Sequence, residues 1–405
     1  MGKSFLLAFI ALTTLSACGS LSNVEPIRIV HFNIKELDST KIKKPGAQLK
    51  AVKKILAKHD FNILSLNEVQ YDIPGVPTYR FKTRGENLRL LSDFLDKKYS
   101  DWNYSFHPAN TGAFARKKKN GTYYTNFSSK NSRDYADQVN FGLFPAQYST
   151  GALFDFKKTY EVLVKDLKWK DFNKEVKISR YKQANGKALP KDMELFDKGF
   201  SDVTVMIKGK EVHLILLHTV PAYHFGNKKS PNYKRNADQL RFLEWYLTGK
   251  TDFPVELEHV KPLPPGTPFI AMGDWNTDIT NKKNTGSKIL RRLFTKFTPW
   301  MSKPETTNES AGFAKKRLKL TLDYIMFSEH FEVVSAGVLK PVEDRVFMGC
   351  NNNKAKFKNI PEDRVLTNWY DRKKKRKCYV TVSKDFYEFK QASDHFPIFA
   401  NLKFK

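Results

Sequence analysis

Five short polar motifs follow one another along this 405-residue chain: Asn33, Glu68, His218, Gly273-Asp274-Trp275-Asn276 and Ser393-Asp394-His395-Phe396-Pro397. Each adjoins an apolar run of strand length, so the polar residues are expected at strand ends. Gathered there, they can build a site for a divalent metal and a phosphate. In Gly273-Asp274-Trp275-Asn276, a carboxylate and an amide two positions apart can face one cleft. The Asp can hold or deprotonate a water, and the Asn can fix it by hydrogen bonds. The same residues also suit a turn for backbone reasons alone. Glu68 is a natural ligand for Mg2+ or Mn2+, which prefer one or two carboxylates completed by waters and phosphate oxygens; Asn33 can assist it. His218 and His395 can bring two imidazoles to one phosphate in acid, base or electrostatic roles. Asp323, in Leu-Thr-Leu-Asp-Tyr-Ile, is a sixth member able to orient one of them. Asp394 adjoins His395 on an extended segment where neighbouring side chains point apart, so it need not be its partner. His213, inside the run that leads to His218, is read as structural or surface-facing.

The elements that must position these residues are legible as periodicity. Residues 27–32, 61–66, 151–156, 202–207, 212–217, 269–272, 319–327, 331–338 and 398–404 read as strands. Residues 47–58, 88–99 and 232–247 carry apolar side chains at helical spacing. Residues 107–140 are polar and rich in Asn, Ser, Lys and Gly, which predicts a long surface excursion, and residues 345–378 read as a basic insertion. Strands outnumber helices and no low-complexity linker interrupts them, so one mixed α/β domain with decorated loops is expected.

A hydrophobic content of 40% with 14% aromatics excludes global disorder. The formal net charge of +28 goes far beyond what solubility requires. Such a surface attracts polyanions: nucleic acid, acidic phospholipid head groups or envelope glycolipids. Its densest clusters are Arg116-Lys117-Lys118-Lys119 and Arg372-Lys373-Lys374-Lys375-Arg376-Lys377. At the N-terminus, Lys3, an apolar run at 5–12 and Leu15-Ser16-Ala17-Cys18 fit a secretory signal too short to span a bilayer. Leu-Ser-Ala-Cys resembles the bacterial lipoprotein box. Residues 1–17 are therefore expected to be a signal peptide, Cys18 a lipid-modified terminus attaching the protein to a membrane, and 18–25 a tether. Export places the chain in an oxidising compartment, where pairing of Cys350 with Cys378 is favoured over two unpaired thiols.

Together, Asn33, Glu68, His218, Asp274, Asn276, Asp323, Asp394 and His395 resemble the endonuclease/exonuclease/phosphatase superfamily, the fold of pancreatic deoxyribonuclease, across about residues 26–405. Leu217-His218-Thr219-Val220-Pro221 is similar to the histidine loop of that enzyme. Asn110-Thr111-Gly112, Phe141-Gly142 with Gln147-Tyr148, Trp169-Lys170-Asp171 and Arg235-Asn236 are similar to one bacterial secreted branch. The resemblance implies a four-layer αββα sandwich, two mixed and mostly antiparallel sheets face to face with helices outside. It implies that Glu68 and Asn33 hold Mg2+ or Mn2+, that Asp274 activates a water oriented by Asn276, and that His395 is base or phosphate ligand tuned by Asp394. His218 would act opposite, supported by Asp323, while Tyr148, Arg235 and Asn236 would meet substrate. Trp275 departs from the pattern, and its large ring would shape the pocket floor. The basic insertion, about residues 345–385, would set substrate choice.

The activity expected is metal-dependent hydrolysis of phosphodiesters, with DNA or RNA as substrate and no obligate protein partner for a monomeric enzyme. Two other readings are carried: a sphingomyelinase-like enzyme acting on phospholipid or small phosphoesters at the envelope, and a non-catalytic lipoprotein that binds polyanions.

Overall fold

The first strand, β1 (Ile27–Leu37), shows how the layers arise. Ile27 and Ile29 point into one buried apolar cluster, whereas Val30, Phe32 and Ile34 point into another on the opposite face. Side chains of a strand alternate between faces, so a strand apolar on both must be covered twice. The computed structural model describes residues 25–70, 85–129, 131–309, 318–351, 359–371 and 375–405. The expected signal peptide, Cys18 and most of the tether lie outside them, as do residues 372–374 of the second basic cluster.

The strands after β1 are β2 (Ile63–Val69), β3 (Asn103–His107), β4 (Ser149–Phe154), β5 (Lys157–Val164), β6 (Phe200–Ile207), β7 (Lys210–Leu217) and β8 (Phe269–Asp274). The short β9 (Thr298–Pro299), β10 (Asn308–Glu309) and β11 (Lys319–Leu320) come next. Then come β12 (Asp323–Phe327), β13 (Phe331–Val338), β14 (Arg345–Cys350), β15 (Arg364–Asp371), β16 (Arg376–Ser383) and β17 (Ile398–Phe404). One six-stranded sheet has the order β13-β17-β1-β2-β4-β3 and the other β5-β6-β7-β8-β12-β9. Each is antiparallel except at one pair, β1 with β2 and β7 with β8. The two sheets face each other across the larger cluster, to which Ile29, Ile63 and Ile398 contribute from one side and Val203, Ile215 and Ile325 from the other. Helices Ala47–Leu56, Glu86–Leu95 and Lys384–Ala392 cover the first sheet, and helices Asn232–Thr248 and Thr285–Leu293 the second. This is the expected sandwich.

Helix Ala47–Leu56 forms because Leu49, Val52, Ile55 and Leu56 share one face, all buried against the sheet. Each such side chain contributes about 1.5–3 kcal/mol on burial. Helix Thr285–Leu293 begins where Asn284 accepts from the amides of Gly286 and Ser287, a side-chain N-cap.

β14, β15 and β16 form a three-stranded antiparallel sheet, in the order β14-β16-β15, where the composition predicted a loop. Alternation within it was masked by basic residues at its ends. Val380 and Val382 of β16 pack with Phe386 of the following helix, and Cys350 is joined to Cys378, its cross-strand partner, in a disulfide. Among the described residues no helix is long and apolar enough to cross a membrane.

Candidate active site

Inward-facing positions of β1 run Ile27, Ile29, His31, Asn33, and those of β2 run Ile63, Ser65, Asn67. Both series turn from apolar to polar at the same end of the sandwich. Beyond Asn67 the alternation breaks. Glu68 has φ +64°, and the β2–β4 register shifts between Asn67 and Val69. This irregularity lets Asn67 and Glu68, consecutive residues, both serve the site. On the facing sheet, β8 ends with Asp274 and β12 begins with Asp323, directly paired across the strands. Gly273 is required there, because a Cβ at that position would lie 1.7 Å from the carbonyl oxygen of Leu217 on β7. That close approach sets His218, the next residue, beside Asp274.

Asp274 is the hub. Its Oδ1 accepts from the Asn276 amide (2.9 Å), and its Oδ2 accepts from Asn276 Nδ2 (3.0 Å) and Asn33 Nδ2 (3.1 Å). His218 Nε2 stands 3.5 Å and His395 Nε2 3.8 Å from the same Oδ2. The Asp274 amide donates across the sheets to Asn67 Oδ1 at 2.7 Å. Asn33 also donates to Glu68 Oε1 at 3.1 Å. Asn276 holds φ +47° and donates to the Thr219 carbonyl, tying the strand exit to the histidine loop.

The two imidazoles are driven apart electrostatically. Burial opposes charge on His395, but Asp323, 2.8 Å from its Nδ1, and Asp274 outweigh it and hold its pKa up at about 10. His395 is therefore an imidazolium. Burial and then Lys198 push His218 down to about 4, so it is neutral. Lys198 is itself buried, donating to Asp197 (2.7 Å) and to the carbonyl of Thr219 (3.2 Å). Burial opposes ionisation of Asp274 and Asp323, yet His395 keeps both below the usual carboxylate range. Glu68 goes the other way: burial, then Asp394, raise it to about 7.

One expected pairing is corrected, and the expected tuning of His395 by Asp394 is found as charge without contact. Asp323 orients His395, not His218, because β12 lies beside β8 at the edge nearest the 393–396 turn. Asp394 makes an ion pair with Lys35 at 3.4 Å and acts on His395 through charge alone. Arg235 and Asn236 do not meet substrate. Both are buried; Asn236 donates to Thr219 and Val220 and so pins the histidine loop from behind, while Arg235 donates to the Leu195 and Glu194 carbonyls and to Asn140, tying the helix to those segments. Tyr148, half-buried at φ +67°, does reach the site, where burial and then Glu36 and Glu68 push its hydroxyl well above its ordinary pKa. Trp275 is fully buried and stacked on Tyr324, beneath the site rather than in it. His213 pairs with Asp202 at 2.7 Å and is structural.

His31 is the residue that sequence reasoning passed over. Fully buried, it places Nδ1 3.0 Å from Ser65 Oγ and Nε2 3.4 Å from Asp323 Oδ1, behind the Asp323–His395 pair. The signal was available: an inward position two residues before Asn33 on an otherwise apolar face.

The donor set fits a divalent cation at Glu68. Its carboxylate accepts only from Asn33 among the described residues, and Asp394 and Glu36 add negative charge around it. Asp274, Asp323 and His395 also bring ligand atoms within 4.8 Å of one another.

Residues 30–395 match the model of the Endonuclease/Exonuclease/phosphatase family. The chain belongs to that family. Its members are phosphoester hydrolases, typically dependent on a divalent metal. Among solved structures, an endonuclease/exonuclease/phosphatase from Beutenbergia cavernae DSM 12333 is similar at 14% identity over 94% of this chain and 72% of that one, with a TM-score of 0.50. A family protein from Leptotrichia buccalis C-1013-b aligns over 93% of this chain and 100% of its own at 12% identity and TM-score 0.47. Sphingomyelinase C from Streptomyces griseocarneus aligns over 93% and 99% at 14% identity and TM-score 0.45. No curated protein sequence matches the chain.

Proposed function

We propose that this family member is a metal-dependent phosphodiesterase that cleaves nucleic acid. The observation that carries the chemistry is the convergence of two imidazoles on Asp274, both within 4 Å of the same carboxylate oxygen, with Asp323 and Asp274 raising the pKa of one and burial lowering that of the other. Hydrolysis forms a bond from water oxygen to phosphorus and breaks the bond to the leaving alkoxide. Asp274, ionised and fixed by Asn33 and Asn276, orients the attacking water and takes its proton as the oxygen–phosphorus bond forms, and the leaving alkoxide is protonated from solvent. His395, held by Asp323, donates from Nε2 to a non-bridging phosphate oxygen as negative charge grows there. Neutral His218 faces the same oxygens from β7. Mg2+ or Mn2+, held by Glu68 and Asn33, would supply charge stabilisation at the phosphoryl oxygens.

The net charge of +28 supports a polyanionic substrate. The N-terminal motif adds the proposal that the enzyme is exported and anchored through lipid on Cys18. A substrate panel tests the function: plasmid, single-stranded DNA, RNA, sphingomyelin vesicles and a chromogenic phosphodiester, with and without chelator. Chelator-sensitive cleavage of nucleic acid, lost in Asp274→Ala and His395→Ala, is expected. Hydrolysis confined to sphingomyelin would reassign the substrate, and no hydrolysis at all would remove the enzymatic reading.

A further inference from the structure

Within and just beyond residues 107–140, expected only as a polar excursion, Tyr123, Ala136, Leu143 and Phe144 form a core of their own. Its base is locked: Gly112 packs so closely on the Phe144 carbonyl that no Cβ fits, and Thr111 donates to the Gln147 carbonyl. Its end is Tyr148, in the active site. The excursion joins two other segments. The amide of Ala184 donates to the Gln138 carbonyl (3.3 Å), and that of Lys182 to the carbonyl of Lys229 (2.9 Å). Lys229 lies in the loop that leaves His218. A continuous rim therefore runs from Tyr148 to His218, with both ends at the catalytic residues.

Chemistry along this rim is uniform. The Arg116 guanidinium and Lys118 ammonium sit 4.9 and 5.2 Å from the centres of the Tyr135 and Tyr124 rings, and Lys117 and Arg133 lie likewise over Tyr123 and Phe127. Rings hold these cations in place where carboxylates would have neutralised them. The same two segments carry three aromatic side chains spread to solvent: Phe114, two residues before Arg116, at 70%, and in the loop after His218 the edge-to-face pair Tyr223 and Phe225 at 58% and 68% exposure. Fixed cations to track a phosphate backbone, together with open ring faces on the same segments, are what unpaired bases require. A duplex hides its base faces and has no use for the rings. A membrane-inserting surface calls for a contiguous apolar wedge, whereas here the rings are set among cations.

We propose that this rim binds single-stranded nucleic acid and feeds it to the site between His218 and His395, with Phe114, Tyr223 and Phe225 stacking on bases and Lys117, Lys118 and Lys119 contacting phosphates. The inference deepens the phosphodiesterase reading and rests on it for the cleavage of the bound strand. It is tested by binding alone. In chelator, so that nothing is cleaved, fluorescence anisotropy compares wild type, Phe114→Ala/Tyr223→Ala/Phe225→Ala and Lys117→Gln/Lys118→Gln/Lys119→Gln. A charge-matched control, Lys50→Gln/Lys97→Gln/Lys157→Gln, removes exposed lysines elsewhere on the fold. The probes are labelled single-stranded DNA and RNA of mixed sequence, the same DNA as duplex, and phosphatidylglycerol vesicles.

The aromatic variant should bind single strands on the order of tenfold more weakly per lost stack and duplex as wild type does. The lysine variant should bind both more weakly than the control, with the slope of log affinity against log salt reduced by about 2 for single strands. Unchanged single-strand affinity in the aromatic variant overturns the proposal, as does a lysine variant no weaker than the control. Loss of vesicle binding with single-strand affinity retained makes the rim a membrane surface and overturns it too. Hydrolysis of bis(p-nitrophenyl) phosphate by wild type judges the phosphodiesterase reading separately, whatever the rim binds.

Discussion

Asp323→Asn removes the anion 2.8 Å from His395 Nδ1 while keeping its shape. In the wild type, burial works against the imidazolium, and Asp323 is the first of the charges that overcome it. The hold on the proton spans the ordinary 6.5 to about 10. At roughly 1.4 kcal/mol per pH unit, that is on the order of 5 kcal/mol of net interaction. With Asp323 neutral, the charges of Asp274, 3.8 Å away, and Asp394 are left to compete with burial, so His395 should titrate well below its wild-type value. A pKa raised in the folded state stabilises fully below 6.5, and that contribution is lost as pH climbs through about 10. Wild-type stability in chelator should fall over this window, and the variant's should fall less. Histidine-selective NMR of 15N-labelled protein reads the titration directly, and kcat/KM on a chromogenic diester should drop about 10²–10³-fold as the cationic donor to the phosphate oxygen is lost. A His395 resonance that titrates as in wild type, or a loss below about threefold, would refute the assignment of Asp323 as its charge partner.

Three further expectations concern the site's supports. Glu68→Gln should abolish the heat of Mg2+ or Mn2+ binding in calorimetry. In chelator it should also stabilise the protein above pH 7, because the wild-type carboxyl, raised from 4.5 to about 7, stabilises only while protonated; about 1–2 kcal/mol is expected for a partly solvated group. Gly273→Ala should cost about 3 kcal/mol or more in denaturant unfolding, since its methyl would displace the β7 carbonyl 1.7 Å away, and activity should fall with it. Cys350→Ser/Cys378→Ser, which opens a bridge of sequence separation 28, should lower unfolding free energy by about 3–4 kcal/mol, and a reductant should then no longer affect the melting curve.

Strand ends were readable because apolar runs stop where the polar set begins: Asn33, Glu68, His218 and Asp274 all sit at such stops. The partners of those residues were not. Whether Asp323 faces His218 or His395 depends on how two sheets stack, and period-2 alternation within one strand carries no information about the sheet opposite. His31 was hidden for a related reason, since a histidine inside an apolar run reads as part of the strand until Ser65 and Asp323 are seen on either side of it. Arg235 and Asn236 were assigned to substrate by resemblance, which carries no information on orientation, and the packing of helix Asn232–Thr248 turns both inward. The β14-β16-β15 sheet was obscured by composition: lysines at hairpin ends outweighed the valines between them.

The bonds from Asp274 to Asn67 and from Asn33 to Asp274 cross the gap between the two sheets. The cleft is thus also a seam of the sandwich, and its two walls cannot separate without dismantling the hub. Anything that fills the cleft and touches both walls must therefore report itself as heat resistance of the entire molecule. Mass action sets the scale, about 2.7 kcal/mol for a ligand at a hundred times its Kd. A melting-temperature screen across phosphoesters and metals would then search for the natural substrate without any assay of turnover, using the whole fold as the indicator.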